Sequence, residues 1–188
     1  MKIYKNKSGI EGLYYIPNYL KQEKITNLIN KINYDIKFES ISKHKNSRRV
    51  AHYGYYYSYD RTGLRPAPKI PDFLQELIGN EMFKKINKKY NIVNYDFDQV
   101  IINEYLPGQQ INYHTDHTTL FSDVIVCITI GSSVPINFKW ENEIVSVDVA
   151  SGSMYIMTDD ARYKWQHSLI NNSDKTRYSI TFRKCLNN

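Results

Sequence analysis

Cysteine is scarce in this chain. Its 188 residues include two, Cys127 and Cys185, and neither has a partner at CxxC spacing. A disulfide framework and a structural zinc module are therefore excluded as organising devices. Cys127 sits inside Val124-Ile125-Val126-Cys127-Ile128 and reads as a small buried hydrophobe. Long apolar runs are missing too, so no segment is expected to span a membrane. The first residues, Met1 to Lys7, are not followed by an apolar stretch, which argues against a secretory leader. Internal repeats, low-complexity linkers and breaks in composition are also lacking. The expectation is one domain over 1–188, soluble and intracellular (cytoplasm or nucleus) and monomeric.

What is present points elsewhere. Apolar residues make up 41% of the chain, enough for a sizeable core at this length. Lys and Arg number 25 against 19 Asp and Glu, a net charge of +6. A basic surplus favours polyanionic partners such as nucleic acid, although lysines that merely solvate a surface give the same count. Tyrosine is abundant, with 17 residues.

Two textures follow one another along the chain. The first, 1–95, carries helices and a basic, tyrosine-rich segment. A short strand is expected over 11–16. Asn18 then caps a helix whose Leu20, Ile25, Leu28, Ile29 and Ile32 recur at near-helical spacing. The basic run 43–49 leads into a ribbon over Val50 to Tyr59. Gly63, Pro66, Pro68 and Pro71 mark a loop over 61–71. Pro71 opens a helix to Ile78, and a second short helix covers 81–89. The other texture, 96–185, is strand after strand: 97–105, 123–131, 134–140, 144–149, 153–158, 164–170 and 176–184, with Gly, Pro, Asn and Ser at the breaks. The fold class is α+β, mainly β, and a sandwich or barrel such as a jelly roll accommodates so many short strands.

Three clusters carry chemistry. In an extended 113–117, His114 and Asp116 share a face, and His167 arrives from a distant strand. Two imidazoles and one carboxylate suit a facial Fe(II) site with open positions. Hydrogen-bonded structural histidines or a zinc hydrolase use the same residues. In Arg177-Tyr178-Ser179-Ile180-Thr181-Phe182-Arg183, apolar and polar side chains alternate. Either the arginines face water, or they line an interior and need an anionic partner, which a dicarboxylate supplies through bidentate contacts. Asn103 and Tyr105 add an amide and a phenol on one strand face, before the Pro107-Gly108 turn.

Taken in order, Asn103-x-Tyr105-x-Pro107-Gly108, His114-x-Asp116, His167 and Arg177-x-x-x-x-x-Arg183 resemble the AlkB family of dioxygenases over roughly 48–184. The resemblance implies a double-stranded β-helix (jelly-roll) core. It implies Fe(II) held by His114, Asp116 and His167, and 2-oxoglutarate held by Asn103, Tyr105, Arg177, Ser179 and Arg183, with Arg177 on the distal carboxylate. Ser179 stands where the bacterial prototype has asparagine. The implied reaction consumes O2, converts 2-oxoglutarate to succinate and hydroxylates a carbon attached to a base. An N-linked methyl then leaves as formaldehyde, whereas a carbon side chain keeps its hydroxyl.

The run from Arg48 to Tyr57 resembles the family's nucleotide-recognition lid, with Arg48 and Arg49 on phosphates and His52, Tyr53 and Tyr55 near a flipped or single-stranded base. His117 and Arg162 complete the expected substrate contacts, Arg162 at the pocket mouth. Thr118 replaces the second aspartate of the repair enzyme. The stretches 114–118, 121–123, 137–139 and 157–165, with Gly131, instead look like the AlkB domain that hydroxylates wobble uridine in tRNA. The implied partner is RNA or DNA with a modified base. The alternatives are the same chemistry on a protein or small molecule, and a nucleic-acid reader that keeps the fold without turnover.

Overall fold

A computed structural model describes residues 2–58, 63–91 and 96–186. The ribbon expected over 50–59 and the loop expected over 61–71 run partly outside them. The elements begin with β1 (Leu13–Ile16), α1 (Gln22–Asp35), β2 (Glu39–Ser40), β3 (Arg49–Tyr53), β4 (Tyr55–Tyr57) and β5 (Leu64–Pro66). Helices α2 (Asp72–Gly79) and α3 (Glu81–Tyr90) follow, then β6 (Gln99–Tyr105), β7 (Gln110–His114), β8 (Phe121–Gly131), β9 (Val134–Trp140), β10 (Glu143–Val149) and β11 (Met154–Met157). A single-turn helix, α4 (Asp159–Tyr163), precedes β12 (Gln166–Ile170) and β13 (Arg177–Cys185).

The long strands pair into two sheets. The major sheet runs β1-β11-β8-β13-β6-β3-β2 and the minor one β10-β9-β12-β7. β4 and β5 form a separate ribbon. This mainly β, two-sheet arrangement is the jelly roll expected from the strand spacing.

Alternation sorts each major strand into two chemistries. Along β13, Tyr178, Ile180 and Phe182 join a core with Leu28 and Ile32 of α1, Leu74 and Leu77 of α2 and Phe83 and Ile86 of α3. The helices thus cover the outer face of the major sheet. Burying each such side chain contributes about 1.5–3 kcal/mol. The opposite face looks toward the minor sheet. There Tyr105, Ile125, Cys127 and Tyr155 pack with Ile136, Phe138, Trp165 and Leu169. Arg177, Ser179, Thr181 and Arg183 share that inner side, because they alternate with the outward set.

Local signals explain most boundaries. Asn80 ends α2 and caps α3, its side chain accepting from the Phe83 amide at 2.9 Å. Pro71 sits one position earlier than expected, at the N-cap of α2. Asn18 does not cap α1. It occupies a left-handed turn at φ 52°, and the helix starts after Lys21 with no side-chain cap. β7 and the ribbon strand β5 lie where no separate strand was expected, because both are short and β5 ends on Pro66.

Gly131 ends β8 at φ +86°, where an added Cβ would stand 2.2 Å from the Thr176 carbonyl oxygen. Gly79 meets nothing within 4 Å and closes a helix. We expect Gly131→Ala to cost about 2–4 kcal/mol and Gly79→Ala to stabilise by up to ~1 kcal/mol, both read from urea midpoints. Similar midpoints for the two variants would remove this account of the β8–β13 join.

Candidate active site

His114 is the last residue of β7, and its Cα partner across the minor sheet is His167 of β12. Their ring centroids lie 4.3 Å apart. Asp116 follows two residues after the strand end, in irregular backbone rather than the extended run the sequence suggested. The chain turns inward there, and one ligand atom from each of His114, Asp116 and His167 falls within 4.8 Å of the others. The Nδ1 of His114 is 2.9 Å from the Asn112 carbonyl oxygen. A carbonyl only accepts, so Nδ1 donates and Nε2 keeps its lone pair for a metal.

The cluster is electrostatically demanding. Burial alone would raise the Asp116 carboxyl. The Arg183 guanidinium in direct contact with it, followed by His167, His114 and Arg162, holds it instead well below the usual carboxylate range. Burial, then the neighbouring His114, pushes His167 down to about 3. Burial lowers His114 as well, with Asp116 opposing. Neutral imidazoles and an ionised carboxylate are the states in which these groups ligate a cation.

The strand β13 supplies the complementary charge. Arg177 is fully buried. One Nη donates to Thr129 Oγ1 at 2.9 Å, and its guanidinium lies 5.7 Å from the Tyr105 ring centre. Its Nε and other Nη have no hydrogen-bond partner. Buried unpaired guanidinium donors are costly unless an anion satisfies them. Arg183 reaches Gln99 Oε1 at 3.2 Å and Asp116, and its Nε is also unpaired. Ser179 Oγ lies 2.8 Å from Cys127 Sγ. A His-Asp-His cluster beside under-satisfied arginines fits a divalent cation and a small dicarboxylate, as Fe(II) and 2-oxoglutarate require.

A cavity of about 640 Å³ reaches the triad and Arg183, while Arg177 lies behind its wall and is not among the residues that line it. Asn103, Tyr105, Ser179, Thr181 and Arg183 line it near the triad, together with Tyr155. Its outer wall includes His44, Asn46, Arg48, Tyr57, Tyr113 and His117. The strap 41–48 is stitched to β7: Ser47 bridges Gln110 in parallel, and the Gln110 amide donates to Asn46 O at 2.9 Å. Arg48 Nε donates to Asn103 Oδ1 at 2.7 Å.

Several residues expected at the substrate side lie elsewhere. Arg49 is on the other face of β3 from Arg48. It pairs with buried Glu104 and sits over Phe38, on the helix side. Tyr53 shares that face and packs against the helix-side core. One-residue alternation separates them from the cavity. Tyr55 joins the β4–β5 ribbon and does not line the cavity. His52 is buried on β3 against Tyr56, 4.4 Å between ring centres, and burial with Arg183 and Arg48 nearby lowers it to about 4. Arg162 is also away from the mouth, buried and turned onto backbone carbonyls. Conversely, Tyr57, Tyr155 and Thr181 reach the cavity without having been singled out. Thr181 was signalled, because it lies between Ser179 and Arg183 on the same strand parity; Tyr57 was not, because Tyr55 two residues before it stays off the cavity.

The depressed histidines, His52, His114 and His167, set a pH slope. His167 and His52 resist protonation when folded but accept it near 6.5 when unfolded. The unfolded state therefore binds more protons as pH falls through 6.5 toward about 4 and 3, and stability is lost over that window. We expect the thermal midpoint of metal-free protein to fall below pH 6.5, and His167→Gln to flatten part of the fall. An unchanged slope in that variant would place the titration elsewhere.

Known proteins provide an independent reading. Residues 12–183 match the family model described as the 2OG-Fe(II) oxygenase superfamily. The Xenopus tropicalis tRNA (carboxymethyluridine(34)-5-O)-methyltransferase alkbh8 is 29% identical over 159 residues, covering 84% of this chain and 25% of that protein. The chain thus spans about a quarter of the length of that relative. Uncharacterized protein L905 of Acanthamoeba polyphaga mimivirus is 31% identical over 200 residues, covering 97% of this chain and 89% of the relative. Among solved structures, OsALKBH1 superposes with a TM-score of 0.70 at 14% identity, covering 92% of this chain and 96% of that one. A Pseudomonas putida prolyl-4-hydroxylase gives 0.62 at 13% identity, covering 92% of both chains. Both share the fold. The AlkB resemblance agrees with these relatives, and the chain belongs to the 2OG-Fe(II) oxygenase superfamily, a dioxygenase family that uses Fe(II), 2-oxoglutarate and O2.

Proposed function

We propose that this dioxygenase oxidises a modified nucleobase in nucleic acid, with hydroxylation of a uridine side chain in tRNA as the leading reaction and dealkylation of DNA or RNA as the second. The observation that carries this reading is the outer wall of the cavity. A cation, Arg48, and two rings, Tyr57 and His117, 6.5 Å apart between centres, flank the way to the His-Asp-His cluster. That combination suits a base entering on its flat face with its phosphate nearby. The name of the Xenopus relative, a modifier of uridine 34 in tRNA, favours RNA.

In this reading His114, Asp116 and His167 hold the iron. Bound Fe(II) with 2-oxoglutarate and O2 supplies the oxidising chemistry that places oxygen on a carbon of the base. Arg177 would meet the distal carboxylate with the donors that burial leaves unpaired, and Tyr105 and Ser179, which line the cavity, would add their hydroxyls. Arg183 stands beside Asp116, where a carboxylate at the metal would share it. Asn103 presents its amide N–H2 to the cosubstrate, because its oxygen already accepts from Arg48. Apolar walls from Ile125, Ile136 and Phe121 exclude water from the reacting carbon. The residues 1–188 act as one domain and one monomer in this scheme, in the cytoplasm or nucleus. Among the described residues no helix is long and apolar enough to cross a membrane.

The direct test is nucleoside mass spectrometry. Total tRNA and methylated DNA and RNA oligonucleotides are incubated with the protein, Fe(II), 2-oxoglutarate and O2, with succinate followed alongside. A new hydroxylated uridine is expected. A lost methyl group would favour the dealkylase. Succinate without any nucleoside change would move the substrate to a protein or small molecule, and no succinate would leave a nucleic-acid reader. Tyr57→Ala should lower kcat/KM for the nucleic acid by about tenfold or more, as the loss of one base–aromatic stack implies, while 2-oxoglutarate affinity holds. A parallel loss of cosubstrate affinity would take Tyr57 out of substrate recognition.

A further inference from the structure

Arg162 is 1% exposed, among the largest fully buried side chains of the protein. It comes from α4, a single helical turn that ends four residues before His167. Its guanidinium donates along three directions to main-chain oxygens of one loop. Nε reaches Ser122 O at 3.1 Å, Nη1 reaches Asp116 O at 2.8 Å, and Nη2 reaches His117 O at 3.0 Å and Phe121 O at 3.2 Å.

These four acceptors have a meaningful order. Asp116 and His117 lie near the start of the loop between β7 and β8, and Phe121 and Ser122 open β8 where that loop ends. One planar, forked cation therefore joins both ends of the loop that carries the Asp116 carboxylate and the His117 ring. The same cation belongs to the segment that delivers His167. Two ligand-bearing stretches, far apart in sequence, are tied through a single side chain. Lysine keeps the charge but has one nitrogen and cannot reach the four oxygens together.

We propose that Arg162 is a positioning residue for the metal centre: its guanidinium pre-forms the Asp116–Ser122 loop, so that Asp116 is aimed at His114 and His167 before any metal arrives. The proposal rests on the reading of that triad as the iron site and not on the identity of the substrate. The Phe121 amide, which donates to His117 O at 3.2 Å, reports whether the loop is closed.

The experiment uses Mn(II) as a redox-silent probe. Its dissociation constant is measured for the wild type, His114→Ala, Arg162→Lys and Arg162→Gln, with thermal melts of each. Loss of binding in His114→Ala verifies the metal site itself; retained binding there would sink that reading and this one with it. With the site verified, Arg162→Lys and Arg162→Gln are expected to fold and to weaken Mn(II) about 10–100-fold, the usual effect of losing an outer-shell partner. Folded variants with wild-type Mn(II) affinity would overturn the proposal. Hydrogen exchange on the wild type decides the matter if the variants do not fold. Pre-formation predicts that the Phe121 amide is protected without metal and changes less than about threefold in rate on adding Mn(II). An amide protected only after Mn(II) is added would show that the metal orders the loop, and would overturn the role of Arg162.

Discussion

Everything at the centre of this molecule answers to the meeting of Asp116 with Arg183 in the dry space between two sheets. A buried carboxylate and a buried guanidinium are each expensive to remove from water, and they persist only where partners surround them. Here Arg183 contacts Asp116 and Gln99, while Asp116 also faces two histidines. The arrangement is incomplete on its own terms, because Arg177 and Arg183 keep unpaired buried donors and His167 an unpaired Nδ1. In the proposed reading a divalent cation would complete the acceptor side and a dicarboxylate the donor side. The fold holds a site whose polar groups are balanced by what it binds.

The scaffold makes that arrangement possible by dividing labour between faces. Outward residues of the major sheet bury against three helices and supply the apolar burial that holds the sheet together. Inward residues of the same strands are then available for polar work, since stability does not depend on all of them. The minor sheet brings His114 and His167 into register as direct neighbours. The prolyl-4-hydroxylase neighbour shares the fold. In this chain the strap 41–48, Tyr57 and His117 contribute to the cavity wall.

Much of this was legible beforehand, for identifiable reasons. Alternation in Arg177–Arg183 separates two faces whichever way they point, so the inward arginines followed once an anion was in view. The spacing of His114 and Asp116 picked out, through an expected extended run, a pair that the structure does bring together, although the backbone leaves the strand at His114 and a loop brings the carboxylate in. The lid was the weak part. Along β3 its residues alternate between two faces, and without the register of β3 against β6 nothing distinguishes Arg48 from Arg49. Tyr53 and Tyr57 share a parity and are separated only because the chain turns at Gly54 and passes from β3 to β4. Arg162 shows a different limit. An arginine beside aromatics reads as a surface or mouth residue, and only the path of the chain between β7 and β8 reveals four carbonyls converging on it.

The central claim is that these buried groups form a joint site for Fe(II) and 2-oxoglutarate. The most direct measurement is an anaerobic titration of the protein with Fe(II) and 2-oxoglutarate, following the visible charge-transfer absorption that arises when both occupy one centre. The account predicts that the absorption appears only when both are present and saturates at one equivalent of each. It also predicts that Asp116→Ala abolishes the absorption and that Arg177→Ala shifts it to higher 2-oxoglutarate concentration. Absence of the absorption in the wild type, or its persistence in Asp116→Ala, would contradict it.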